Sequence, residues 1–259
     1  MSQTRRQFLG TALASALTFA GLSDGNALGK RTLVKLAQLR YAGNWNPRPN
    51  ARTKLAQELR FRTSVPVDYT LVNLSLDDPK LFYHPLLILC GDRPFTLSDD
   101  ETRTLRRYLS LGGFLWIDAA DFVAGNQFDA SVRKLVGQLF GARKLSKLPS
   151  DHVVFRSFYR VSSPAGRVLV RDYLEGVTLD RRLCILYTPN DVFGALEQVA
   201  LGNWKYDVSP GGAGQRQMAM RLAINIVEYA LCLNYKSDQV HLDYLLRKRQ
   251  WYIRRPTRP

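Results

Sequence analysis

From residue 33 onward, apolar and polar positions fall into blocks whose period switches between that of a strand and that of a helix. Residues 33–40 read as a first strand, followed by the turn-rich run Gly43-Asn44-Trp45-Asn46-Pro47-Arg48-Pro49. Ala51, Leu55 and Leu59, with the aliphatic stem of Arg60, then repeat at helical spacing. Residues 67–74 read as a second strand, and residues 86–90 as a third. The third is a continuous apolar run between Pro85 and Gly91, the pattern of a parallel strand with helices over both faces. Ser98-Asp99-Asp100-Glu101 can form a capping box, with its carboxylates at the positive end of the helix, and predicts a helix over residues 99–111 stopped by Gly112-Gly113. Residues 114–117 are a fourth buried strand, which delivers Asp118 to its carboxyl end.

Downstream, residues 131–140 are amphipathic and end at Gly141, as a helix closed by glycine would. Between 152 and 187, the runs Val153-Val154-Phe155, residues 167–170 and residues 183–187 are separated by Pro, Gly and Asp and predict strands or hairpins beside the parallel sheet. Residues 188–215 read as a long loop, residues 217–233 as a strongly apolar helix, and Ser237 as the cap of a last helix reaching about residue 249. Strands alternating with helices imply an α/β fold with a mostly parallel sheet and extra hairpin strands. The expected organisation is a signal over residues 1–27, one domain over 28–236, and a terminal helix with a basic tail over 237–259.

The N-terminus has a different pattern. Thr4-Arg5-Arg6-Gln7-Phe8-Leu9-Gly10 carries paired arginines before large apolar residues, and an uncharged stretch follows to Ser23. Gly25 and Ala27 then stand three and one positions before a cut after Ala27. This order is that of a twin-arginine export signal, which predicts a periplasmic protein. The alternative is a membrane anchor by an uncleaved signal, although the run is short of the ~20 strongly apolar residues a span needs.

The hydrophobic fraction of 46% is ample for a folded core, and the formal net charge of +15 is large. Removing residues 1–27 takes away Arg5, Arg6 and Asp24, so +15 becomes +14. Part of the excess sits at the end, where Arg247, Lys248, Arg249, Arg254, Arg255 and Arg258 surround Trp251 and Tyr252. Such a tail suits an anionic membrane surface, each cation contributing on the order of 1 kcal/mol there, or a solvated terminus. Nucleic acid is an unlikely partner for an exported chain. The cysteines, Cys90, Cys184 and Cys232, lie in apolar runs and are expected to be free and buried. The histidines are widely spaced without a zinc-ligand pattern, and neither a metal nor a cofactor is expected.

Pro85-Leu86-Leu87-Ile88-Leu89-Cys90-Gly91, Leu105-Arg106-Arg107-Tyr108-Leu109 with Gly112-Gly113-Phe114-Leu115-Trp116-Ile117-Asp118, Leu148-Pro149-Ser150-Asp151-His152, Tyr187-Thr188-Pro189-Asn190-Asp191 and Asn225-Ile226-Val227-Glu228-Tyr229-Ala230-Leu231 together resemble the bacterial family called domain of unknown function 4159. The resemblance covers nearly the whole chain after the signal. It implies an exported protein with a class I glutamine amidotransferase-like, flavodoxin-type three-layer sandwich, working with envelope protein partners. It brings no established activity.

An amidotransferase needs a cysteine on a sharp strand-to-helix turn with a histidine in reach. The comparable turn here carries Asp118 in Ile117-Asp118-Ala119-Ala120-Asp121, so glutaminase activity is not expected. The candidate catalytic residues are Asp118, His152 and Asp191, with Asp121 and Asp151 as further candidates for ligand binding; all follow predicted strands or lie in loops. Carboxylates and an imidazole suffice for hydrolytic acid–base work, but each also has a structural reading as a cap or turn residue. A second candidate ligand-binding surface uses Trp45 and Arg48, with Tyr41 and Asn44, in the loop after the first strand. Two readings stay open: an exported, non-catalytic binding or scaffold protein, or a hydrolase or metal-dependent enzyme built on the Asp/His set.

Overall fold

The computed structural model describes residues 33–121 and 127–249, and their side chains except at residue 200 and beyond residue 232. The expected signal, residues 1–27, and the basic tail around Trp251 and Tyr252 lie outside the described residues. In chain order the strands are β1 (Ala37–Leu39), β2 (Val72–Leu74), β3 (Leu86–Gly91), β4 (Phe114–Ala119), β5 (Ser146–Lys147), β6 (Glu175–Leu179) and β7 (Arg182–Thr188). The α-helices are α1 (Ala51–Arg62), α2 (Asp99–Ser110), α3 (Gln127–Phe140), α4 (Val192–Leu196) and α5 (Gly212–Arg249). Among the described residues the strands form one 7-stranded sheet in the order β2-β1-β3-β4-β7-β6-β5. From β2 through β7 all neighbours are parallel, while β6 is antiparallel to β7 and β5 to β6.

Alternation along the strands sorts side chains into two cores. Leu86, Ile88, Cys90, Phe114 and Trp116 pack under α1, α4 and α5. Leu87, Leu89, Leu115 and Ile117 face α2 and α3, where Leu105, Leu109, Val132 and Leu135 meet them. Both central strands are buried along their whole length, which is why they read as unbroken apolar runs. The result is a three-layer mixed α/β sandwich whose order β2-β1-β3-β4-β7 follows the flavodoxin-like pattern.

Local signals account for the best-placed elements. Ser98 accepts from the Glu101 N–H and the Glu101 carboxylate accepts from the Ser98 N–H, so the capping box forms and α2 starts where its sequence says. Other elements depart from expectation. β1 and β2 are short, with only a bridge between Val34 and Val67 joining their leading segments. Val153-Val154-Phe155 is not a strand. His152 Nδ1 accepts from the Val154 N–H at 3.2 Å, and this cap winds residues 153–156 into a 3-10 turn. Residues 167–170 are likewise not a strand: the N–H groups of Arg167 and Val168 donate to the carbonyls of Asp191 and Asn190. The last two expected helices are one, because nothing between Leu233 and Ser237 interrupts α5. Cys90 and Cys184 are free and buried, but Cys232 is free and exposed. By Tyr229, which packs edge-on to Phe114 at the start of β4, α5 has reached the end of the sheet, and Cys232 lies beyond that cover.

Candidate functional site

The carboxyl edge of the sheet is where open α/β folds bind ligands, above all at the switch in strand order between β1 and β3. Here that switch is filled. Tyr41 Oη donates to the Cys90 carbonyl at 3.0 Å, and its ring packs at a tilt against Phe95, which in turn meets Phe128. A Cβ on Gly91 would lie 2.2 Å from Tyr41 Oη, so the backbone itself closes on the aromatic plug.

The register aligns Cys90, Asp118 and Thr188 across β3, β4 and β7. Asp118 is fully buried and bonds to the end of β7 and to the start of α4. Oδ1 accepts from Thr188 Oγ1 at 2.6 Å and from the Val192 N–H at 3.0 Å, and Oδ2 from the Phe193 N–H at 2.9 Å. Trp116 Nε1 donates to Thr188 Oγ1 at 2.9 Å and fixes that hydroxyl's direction. Burial, and then the nearby Asp191 carboxylate, push Asp118 up to about 7 against the opposing pull of these hydrogen bonds. The same burial, with Asp118 and Asp191 beside it, raises the Cys90 thiol well above the usual range, so it is not a thiolate nucleophile.

Asp191 is also fully buried and caps α4 from the left-handed region, at φ 54° and ψ 61°. Its Oδ1 accepts from the Gly194 N–H at 2.9 Å. Arg48 grips it through two bonds, Nε to Oδ1 at 3.0 Å and Nη2 to Oδ2 at 2.6 Å, and Arg167 Nε adds a third at 2.6 Å. Arg48 also donates to the Ala120 carbonyl at 2.7 Å and to Tyr206 Oη at 3.1 Å, with its guanidinium 4.5 Å above the Tyr206 ring. Burial disfavours the Arg48 charge, but the bonds and charge of Asp191 outweigh it and raise the guanidinium further. The neighbouring loop is tied in by Asn190, which accepts from the N–H groups of Val170 and Arg171 and donates to the carbonyls of Pro164 and Arg171. Glu197, brought from beyond α4, accepts from the Asn50 N–H at 3.1 Å and puts a carboxylate at the start of α1, whose own first turn has none.

The structure therefore joins Arg48 and Asp191 in one ion pair and sets Asp118 beside them. His152 stands apart: its ring lies 5.5 Å from that of Tyr229, which packs on Phe114 at the amino end of β4, opposite Asp118. Burial lowers its pKa, with Asp151 opposing and Arg156 assisting. Asp151 is exposed in the preceding turn. Asp121 is half-buried just past β4 and, after burial and Asp129, helps to hold the Tyr187 phenol protonated. Trp45 is half-buried against the second core, and its carbonyl accepts from Gln38 Nε2. Asn44 donates to Asp92 at 2.8 Å. Arg167, Tyr206, Asn190 and Glu197 complete the cluster, and no local sequence signal marked them. Among the described residues no group of three or more His, Cys, Asp or Glu could hold a metal ion.

Strand order and a mostly parallel sheet covered on both faces define a flavodoxin-like α/β sandwich. Within that class the chain belongs to the family described as Domain of unknown function (DUF4159), which matches over residues 35–231. No curated protein matches the chain.

Proposed function

We propose that this chain is a non-catalytic binding or scaffold protein, carried by a twin-arginine signal to the bacterial periplasm, where it works with envelope proteins. The observation that carries this reading is the commitment of its central carboxylates to structural hydrogen bonds. Asp118, near the carboxyl end of β4, accepts three hydrogen bonds, from Thr188 and from the N–H groups of Val192 and Phe193. Asp191 is held by Arg48, Arg167 and Gly194. A general base needs a free lone pair within reach of substrate, and these have been given to the fold. No described helix is long and apolar enough to cross a membrane.

Two measurements test the reading. Stoichiometric metal in protein purified from its own compartment, or hydrolysis of ester, amide or phosphate substrates that falls in Asp118→Asn, would replace it with the enzyme reading. That alternative draws on the burial of Asp118 beside Asp191, which raises its carboxyl toward the range suited to acid–base work. Export is tested by changing Arg5 and Arg6 to lysine: the precursor should stay in the cytoplasm, and normal periplasmic recovery would refute the signal. The basic tail has its own test, since a chain ending at residue 246 should lose salt-sensitive binding to anionic vesicles if residues 247–258 anchor it.

A further inference from the structure

At the far edge of the sheet, β5 pairs with β6 on one side only. The Leu148 N–H donates to the Leu174 carbonyl at 2.9 Å, which makes that pair a hydrogen-bonded one. Lys147 opposite Glu175 is then a non-hydrogen-bonded pair, because the two kinds alternate along an antiparallel ladder. The N–H and C=O of Lys147 consequently point away from β6, out of the sheet. Both residues of β5 are exposed.

This open edge runs between two hollows, of about 590 and 550 Å³, that share Lys147, Leu148 and Pro149 as a common wall. Arg143, Lys144, Lys147 and Arg181 line the second hollow, which has no carboxylate in its wall. Asp172 is the acid of the first. Asp151 and Asp180 adjoin lining residues in sequence but line neither hollow. Among the described residues none of these cations forms an ion pair, although Arg143 Nη1 donates to the Thr178 carbonyl at 2.7 Å. Lys147 Nζ lies 4.5 Å from the centre of the Tyr173 ring, and no described carboxylate pairs with any of the four.

Arg181 adds an independent sign. It is the second residue of the two-residue β6–β7 turn, Asp180-Arg181, with φ of 49° and 66°. A two-residue hairpin of this kind asks for glycine at that second position. An arginine held there is a local cost to the fold, and such costs gather at functional positions. The strained turn thus places Arg181 in the wall of the hollow.

Resting on the reading of this chain as a binding protein, we propose that the β5 edge and its basic hollows bind an extended acidic peptide segment of a partner protein. The partner adds a strand beside Lys147 while its alternate carboxylates meet Arg143, Lys144, Lys147 and Arg181. Backbone pairing supplies affinity and alternate side chains supply selectivity. The site is concave, which favours an extended chain over a flat lipid surface.

The test uses the full chain and a short fluorescent peptide of alternating glutamate and threonine, followed by anisotropy. Lys147→Gln removes the charge alone. Lys147→Pro removes the charge and the outward N–H without removing a ladder bond, a change edge strands tolerate. Binding should fall on raising salt, and Lys147→Pro should weaken it about tenfold beyond Lys147→Gln, the effect of one lost backbone pair. Arg181→Gly should weaken binding while raising the melting temperature, so loss of fold cannot account for the result. Equal binding by Lys147→Pro and Lys147→Gln would overturn the edge pairing. Undiminished binding by Arg181→Gly would overturn the basic site, as would tighter binding of polyphosphate or phosphatidylglycerol vesicles than of the peptide. None of these failures touches the non-catalytic reading, which stands on metal content and hydrolysis assays.

Discussion

Replacing Arg48 by methionine tests whether the buried charges at the sheet edge hold the fold together. The side chain is 8% exposed, and methionine fills a similar volume without the charge. The substitution removes both bonds to Asp191, leaves the Ala120 carbonyl without its guanidinium donor, and leaves Arg167 as the cationic partner still holding the carboxylate. Breaking a buried pair by deleting one partner costs about 3–5 kcal/mol, since the remaining charge stays out of water. The surviving Arg167 bond argues for the lower end, and the orphaned carbonyl, at about 1–3 kcal/mol, argues against less. The expected loss is therefore about 3–4 kcal/mol. Urea unfolding followed by far-ultraviolet circular dichroism should show a lower midpoint with an unchanged slope. Arg48→Lys should recover only part of the loss, because an ammonium cannot make the two-pronged contact. Pairing Arg48→Met with Asp191→Asn should cost less than the sum of the single changes by at least about 1 kcal/mol, as contacting partners do. A midpoint for Arg48→Met equivalent to a loss under about 1 kcal/mol would show that water already solvates the pair, and the argument for a carboxylate spent on structure would fail with it.

Other outcomes follow from the same geometry. A Cβ on Gly166 would sit 1.9 Å from the Asn190 carbonyl oxygen, so Gly166→Ala should cost about 1–3 kcal/mol or more and speed proteolysis of the loop around it. Ser98→Ala opens the capping box of α2 and should cost about 1 kcal/mol in thermal or urea unfolding, with no effect on the Asp191 cluster. Asp118 titrates at about 7 folded against 3.8 in its ordinary state, so between those values the folded chain binds more protons than the unfolded one. Its contribution to stability therefore falls as pH rises from about 4 to about 7, the reverse of a salt-bridged carboxylate. Urea midpoints across that range should lose this component of their slope in Asp118→Asn, and identical slopes for the two proteins would refute the assignment.

The sequence was most legible where a local pattern and the tertiary fold want the same thing. The runs at Leu86 and Phe114 are apolar throughout because helices cover both faces, and the capping box at Ser98 states its own boundary. Legibility failed where a distant partner decides. Val153-Val154-Phe155 has strand composition, yet the His152 side chain caps it as a turn. Residues 167–170 were apolar enough to be a strand, but their N–H groups are claimed by Asn190 and Asp191. Arg48 and Asp191 each stood out alone, one for a binding loop and one for catalysis. Their pairing, across 143 positions of sequence, left no local trace. Asp118 was placed correctly at the carboxyl end of its strand because strand polarity is readable. Its structural bonding was not, because its donors are the Thr188 hydroxyl of β7 and the first N–H groups of α4, some 70 or more positions away.

The cluster also explains why this fold keeps two buried acids at the carboxyl edge of its sheet. Helix α4 is 5 residues long, too short to persist without outside support, and its first N–H groups are buried where water cannot satisfy them. Asp118 meets two of them from the sheet and Asp191 meets a third from the cap position. Asp191 can do so because aspartate tolerates the left-handed backbone that turns the chain there. Two carboxylates this close would repel, and Arg48 and Arg167, coming from separate loops, offset that repulsion. Each residue thus answers a demand created by another. A residue without acceptor oxygens at position 118 strands the helix, and a neutral residue at position 48 strands the acids. Chemistry at this edge would require a lone pair released from that circuit, at the expense of the loops it joins. Recognition at the periphery requires no such release, and there the cations beside β5 have no carboxylate partner among the described residues.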